Sequence, residues 1–189
     1  MKIIFFGGSF DPLHIGHFAI AKKSLENCDH FIFFPAKQSP HKCSSPVVSD
    51  LHRIKMLQLI TNTLNNAEVD TFELQGKSPS LTWITIQYLK SKYNDASITM
   101  AIGEDILDNI ESWYRIDAIS KDIAFLCFSR DISSHSKDKG LNIQFIKDFQ
   151  YNISSTQIRN LIYNGNYTDT EKMVPKLVYN YIMKNGLYR

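Results

Sequence analysis

Cysteine is scarce, and the three that occur stand apart: Cys28, Cys43 and Cys127 form no C-x-x-C pair. An odd number of isolated cysteines argues against a disulfide framework or a thiolate zinc site and leaves them as small core or surface residues. No apolar run approaches the roughly 20 residues that a membrane helix needs. The N-terminus runs straight into a strand-like segment, with no apolar signal region or cleavage site. A cytoplasmic location with no membrane partner is the expectation. Basic charge is sparse too: the formal net charge is +2 and no basic stripe is visible. That gives no electrostatic footprint for nucleic acid, although a local cluster of Lys, Arg and His could still gather around phosphates. No repeat, low-complexity tract, Gly/Ser linker or long charge run divides the chain. Residues 1–189 therefore read as one domain with a substantial core.

What is present alternates between two periods. Short apolar runs rich in β-formers read as strands at Lys2–Phe6, His30–Phe34, Glu68–Phe72, Ser97–Ile102, Ile123–Phe128 and from Ile143 to Phe145. Helical spacing marks Ile15–Glu26, a segment capped by Ser49 and running to Leu64, Ser80–Tyr93, and Ile106–Ile119 with a break near Ser112. Two more helices close the chain, Ser155–Tyr163 and Pro175–Lys184, so that 154–189 is a helical C-terminal segment. Alternating strands and helices predict an α/β fold with a doubly wound parallel sheet. Ligands of such sheets bind beyond the C-terminal strand ends where strand order reverses. The loop Pro35–Val48 is long for a compact domain and reads as a lid.

Two segments carry chemistry. Gly7-Gly8-Ser9-Phe10-Asp11-Pro12-Leu13-His14-Ile15-Gly16-His17 lies where the first strand meets the first helix. Gly7 and Gly8 let backbone N–H groups approach phosphate oxygens, and the helix N-terminus adds a positive dipole end. His14 and His17, three apart, share one face of the first turn, with Gly16 leaving room between them for a ligand. Two imidazoles there can donate to a triphosphate and stabilise charge growing on a five-coordinate phosphorus. A zinc reading is weaker, because no nearby Cys or His supplies further ligands. The second segment, Ile153-Ser154-Ser155-Thr156-Gln157-Ile158-Arg159, opens a late helix. Ser154 is its N-cap, Ser155 and Thr156 add hydroxyls, and Arg159 lies one turn in, able to point back toward a phosphate.

The first segment resembles the GxFDPxHxGH signature of the HxGH nucleotidyltransferase superfamily, and the second resembles its SxTxxR signature. The stretches between them resemble bacterial nicotinate mononucleotide adenylyltransferase almost end to end. These stretches are Pro40-His41-Lys42, Ser49-x-x-x-Arg53-x-x-Met56, Pro79-Ser80-Leu81-Thr82, Gly103-Glu104-Asp105, Trp113, Ser129-Arg130 and Val174-Pro175 through Tyr188. The resemblance implies a Rossmann-like fold that transfers AMP from ATP to nicotinate mononucleotide, with Mg²⁺ carried mainly on ATP phosphates. It implies catalytic roles for His14, His17 and Arg159. ATP would meet Gly7, Gly8, Ser9, Phe10, Gly16, Gly103, Asp105, Ser154 and Thr156 besides. Nicotinate mononucleotide would meet Lys42, Leu81, Thr82, Trp113 and Arg130. Leu81, Ile84 and Ile116 depart from the residues usual in that family, and all three are expected near the pyridine pocket. Families of this fold often self-associate, so a homo-oligomer stays open. Alternatives are another transferase of the superfamily and a non-catalytic nucleotide sensor.

Overall fold

Lys2–Gly8 (β1) is buried on both faces because its side chains alternate between two apolar layers. Ile4 and Phe6 enter one core cluster, Ile3 and Phe5 the other. In the computed structural model, which describes residues 1–38, 45–76, 79–129 and 140–189, five further strands extend from β1. They are β2 (His30–Pro35), β3 (Ala67–Val69), β4 (Ser97–Gly103), β5 (Ala124–Phe128) and β6 (Ile143–Ile146). All pairings are parallel, in the order β3-β2-β1-β4-β5-β6, so the order reverses between β1 and β4.

Helices cover both faces. On one lie α1 (Ile15–Leu25) and α2 (Asp50–Thr61), whose Ile20, Ala21, Met56, Leu57 and Ile60 are buried against the sheet. After β3 come the short α3 (Phe72–Gln75) and α4 (Thr82–Lys92), followed by a 3₁₀ helix (Glu104–Ser112) and α5 (Ile116–Asp122). From these, Ile86, Leu89, Leu107, Ile110 and Ile119 fill the opposite layer. The chain ends in α6 (Ser155–Tyr163), α7 (Tyr167–Met173) and α8 (Lys176–Lys184). Ile158, Ile162, Val178 and Ile182 of this segment return to the α1/α2 face. Cys127 is buried and Cys28 half-buried, both as free thiols. Cys43 lies outside the described residues. Among the described residues no helix is long and apolar enough to cross a membrane.

The doubly wound parallel sheet agrees with the sequence reading; several local expectations need correction. The third strand stops at Val69, because the Phe72 N–H donates to Asp70 Oδ1 (2.9 Å) and the chain turns into α3. The segment 106–119 is two pieces: the 3₁₀ helix ends at Ser112, and Arg115 adopts a left-handed conformation (φ 60°) before α5. Ser49 stands at the N-cap of α2, yet its side chain makes no cap bond. Pro175 is likewise the N-cap of α8 rather than its first helical residue. The polar α7 falls in the expected helical C-terminal segment but is not one of the helices delimited from sequence. It packs between α6 and α8 with Thr170 fully buried.

Candidate active site

The register of β1 opens the site. With β2 it pairs up to Gly8↔Pro35, but with β4 only up to Phe5↔Met100. The C-terminal ends of β1 and β4 therefore part at the switch point and leave a crevice. It widens into a cavity of about 960 Å³. Its walls include Gly7, Gly8 and Ser9 at the end of β1, Gly103 and Asp105 at the end of β4, and Ser154, Ser155 and Thr156 at the start of α6. Leu81 and Thr82 at the start of α4, with Trp113, form the far side.

His14 and His17 meet as expected, and the reason is a reciprocal helix cap. His14 is the N-cap of α1: its Nδ1 accepts from the His17 N–H (3.4 Å). His17 Nδ1 in turn accepts from the His14 N–H (3.2 Å). Histidines thus take both parts of a capping box, and their rings stack at 3.6 Å. An imidazole that accepts through Nδ1 carries its hydrogen on Nε2, so the cap fixes the tautomer of both rings. Both rings border the cavity with a defined donor edge.

Gly16 is small for a reason that sequence did not reveal. A Cβ there would lie 3.1 Å from the His14 ring and 3.3 Å from Tyr151 Cβ, so the space belongs to the neighbours of the cap as much as to a ligand. Gly103 is tighter still, since a Cβ would sit 2.5 Å from Asp105 Oδ1. Phe10 borders the cavity, but its ring is 1% exposed and stands edge-on to Phe6, Phe33 and His17. The Phe10 side chain supports His17, and its backbone, at φ 47°, is what remains for a ligand.

The C-terminal segment docks onto this turn. Ser154 Oγ caps α6 by accepting from the Gln157 N–H (3.1 Å), and Ser155 Oγ donates to the Pro12 carbonyl (2.9 Å). Arg159 reaches back, as its position suggested, with Nη2 on Thr156 Oγ1 (3.1 Å) and Nη1 on the Asp11 carbonyl (2.7 Å). Thr156 lines the cavity, whereas Arg159 is not among the lining residues.

Two residues of the quoted motifs, Asp11 and Arg53, carry organising roles that the sequence reading does not assign. Asp11 is buried, and its carboxylate accepts from the Val47 N–H (2.7 Å), the Val48 N–H (3.4 Å) and the Tyr188 hydroxyl (2.9 Å). Burial, and then the Asp11 charge, push the Tyr188 phenol well above its ordinary range, so the hydroxyl stays a donor. Arg53 is 0% exposed and donates to the Ser9 carbonyl and the Ala36 carbonyl (2.8 Å each) and to Asp50 Oδ1 (2.6 Å). It pins the loops that follow β1 and β2. A signal for it existed: Arg53 falls on the same helical stripe as Met56, Leu57 and Ile60.

On the far side, Leu81, Thr82 and Trp113 line the cavity as expected. Leu81 is the N-cap of α4 and its side chain makes no cap bond; the Ile84 N–H bonds the Leu81 carbonyl (3.0 Å), which leaves the N–H groups of Thr82 and Trp83 as the first-turn donors open to a ligand. Ile84 and Ile116 do not line the cavity: Ile84 is 49% exposed and Ile116 packs on the apolar layer. Lys42 and Arg130 lie outside the described residues.

A parallel sheet with this order and a phosphate-sized cradle at its switch point belongs to the nucleotide-handling α/β proteins. Residues 5–161 match the cytidylyltransferase-like family, and the chain belongs to it. A relative from Staphylococcus epidermidis narrows this. It is named a probable nicotinate-nucleotide adenylyltransferase and is 34% identical over 189 residues, covering 99% of this chain and 97% of that one. Within the broader family, the chain is thus a member of the nicotinate-nucleotide adenylyltransferases. Two solved structures of Plasmodium falciparum nicotinic acid mononucleotide adenylyltransferase share the fold. One, complexed with NaAD, superposes with a TM-score of 0.80 at 22% identity over 99% of this chain and 97% of that one. The other, complexed with APC, gives 0.81 at 21% over 99% and 96%.

Proposed function

We propose that this chain transfers AMP from ATP to nicotinate mononucleotide, releasing pyrophosphate and nicotinate adenine dinucleotide. The reciprocal His14–His17 cap at the open switch point carries this reading. It sets two N–H donors beside glycine-lined backbone and the N-terminus of α1, the arrangement a triphosphate needs.

In the reaction a phosphate oxygen of nicotinate mononucleotide attacks the α-phosphorus of ATP in line. The bond from that phosphorus to the β-bridging oxygen breaks, and pyrophosphate leaves. His14 and His17 donate through Nε2 to oxygens on which charge grows. Ser154 and Thr156 contact phosphate at the α6 N-terminus, and Arg159 offsets the charge of the leaving pyrophosphate. Asp105 is assigned to a ribose hydroxyl and Trp113 to the pyridine ring face. The uncapped start of α4 at Thr82 suits a carboxylate, which supports nicotinate over nicotinamide. Lys42 and Arg130 keep the acceptor roles that the family resemblance assigns.

Among the described residues no group of three or more His, Cys, Asp or Glu side chains is placed to hold a metal. The cradle offers N–H donors, which suit phosphate oxygens and not a cation. An ion held by ATP phosphates and water fits it, and the residues bearing on that ion are those that hold the phosphates. When bound, Mg²⁺ would offset phosphate charge and polarise the reacting phosphoryl group. The free thiols of Cys28 and Cys127 accord with a cytoplasmic enzyme.

The test is pyrophosphate release from ATP and Mg²⁺ with nicotinate mononucleotide or nicotinamide mononucleotide as acceptor. Strong preference for the nicotinate form is expected. Equal rates would refute the acceptor assignment, and no release with either would refute the reaction.

A further inference from the structure

Glu73, on the short helix α3, lines the cavity on the side of Leu81 and Thr82, and no part of the mechanism above uses it. Its Oε1 accepts from the hydroxyl of the fully buried Thr85 (2.7 Å). The Ser80 hydroxyl stands beside the same carboxyl and bears on its charge. Ser80 also accepts from the Lys37 N–H (3.1 Å), and its own N–H donates to the Gln38 carbonyl (3.0 Å). Ser80 and Thr85 bracket the start of α4. The carboxyl therefore grips that helix through Thr85, while Ser80 beside it ties the helix end to the loop after β2.

The grip matters because the α4 N-terminus has no side-chain cap. A capped helix start is fixed by its own N-cap bond; this one must be held from outside to keep its first-turn N–H groups aimed at a ligand. The phosphate cradle has its own supports, the caps that His14 and His17 form on α1 and Ser154 on α6.

Resting on the reaction proposed above, we propose that Glu73 is a positioning residue for acceptor specificity: through Thr85 and Ser80 it fixes the helix end that reads the pyridine carboxylate. Its effect falls on the acceptor and not on ATP. Burial holds the Glu73 carboxyl above its ordinary range, which lessens the charge it sets against an anionic acceptor.

Steady-state kinetics on the native protein, Glu73→Ala and Glu73→Gln, with both acceptors, test this. For Glu73→Ala, KM for nicotinate mononucleotide should rise about tenfold, the cost of a lost hydrogen bond at this helix end. KM for ATP should stay within about twofold of native, and the preference for nicotinate over nicotinamide should fall by a similar factor. Glu73→Gln keeps an oxygen for Thr85 and should recover most of the loss. Thr85→Val, which removes one donor only, should give a smaller shift of the same kind and serves if Glu73→Ala does not fold. Equal rises in KM for ATP and acceptor, an unchanged acceptor preference, or a Gln variant as impaired as Ala would each overturn the inference. Native protein that turns over neither acceptor would refute the reaction itself, and this inference with it.

Discussion

His14 does two jobs at once, and the structure shows how to separate them. Its Nδ1 caps α1, while its Nε2–H is assigned to the reacting phosphate. Asparagine at the same position can accept the His17 N–H as an N-cap but offers no donor where Nε2 stood; alanine offers neither. Losing one donor to developing charge costs about 2.7–4 kcal/mol, or about 10²–10³ in kcat. Losing an N-cap costs about 1 kcal/mol of stability, which in a chain of this size lowers Tm by roughly 2–4 °C. Both His14→Asn and His14→Ala should therefore lose about 10²–10³ in kcat for pyrophosphate release. Only His14→Ala should also melt roughly 2–4 °C below His14→Asn. The two readouts are a coupled pyrophosphate assay and a thermal melt monitored by circular dichroism. An Asn variant that turns over within a few-fold of native would refute the catalytic part. Identical melting of the two variants would refute the capping part.

Arg53→Met should destabilise the fold through orphaned carbonyls at Ser9 and Ala36, each costing about 1–3 kcal/mol. Asp50 is half exposed and adds little, while the Arg53 Nε already lacks a partner among the described residues, a cost that Met removes. A net loss of about 3 kcal/mol, or roughly 6–12 °C in Tm, is expected; an unshifted urea midpoint would count against it. Glu73 should make stability depend on pH. Burial raises its folded pKa above the ordinary 4.5, so the folded state binds its proton more tightly. Its contribution is most favourable below pH 4.5 and declines as pH rises through the window between 4.5 and the folded value. Urea midpoints of Glu73→Gln should gain on native across that window and then run parallel; a gap independent of pH would refute the assignment.

The layered architecture was legible because it depends on local signals. Apolar runs such as Lys2–Phe6 and Ile123–Phe128 can be buried only as central strands, and their alternation with helices leaves a parallel sheet as the outcome. The cradle was legible for the same reason, since His14, His17 and Ser154 act through bonds to residues three positions away. Where a side chain bonded to its near neighbours in an unforeseen way, as at Asp70, boundaries moved.

The chain's order of residues thus determined the sheet, the switch-point cradle and the type of chemistry placed there. Only the tertiary structure decided that Phe10 supports His17 from the core, that Ile84 faces solvent, and that Arg159 bonds the Asp11 carbonyl. It alone brought Asp11 to Tyr188, Arg53 to Ser9 and Glu73 to Thr85. The reason is one of range. Helical and strand periods are written within a few residues, whereas the last three contacts span from 12 to 177 positions and form only once packing has closed the loops between them.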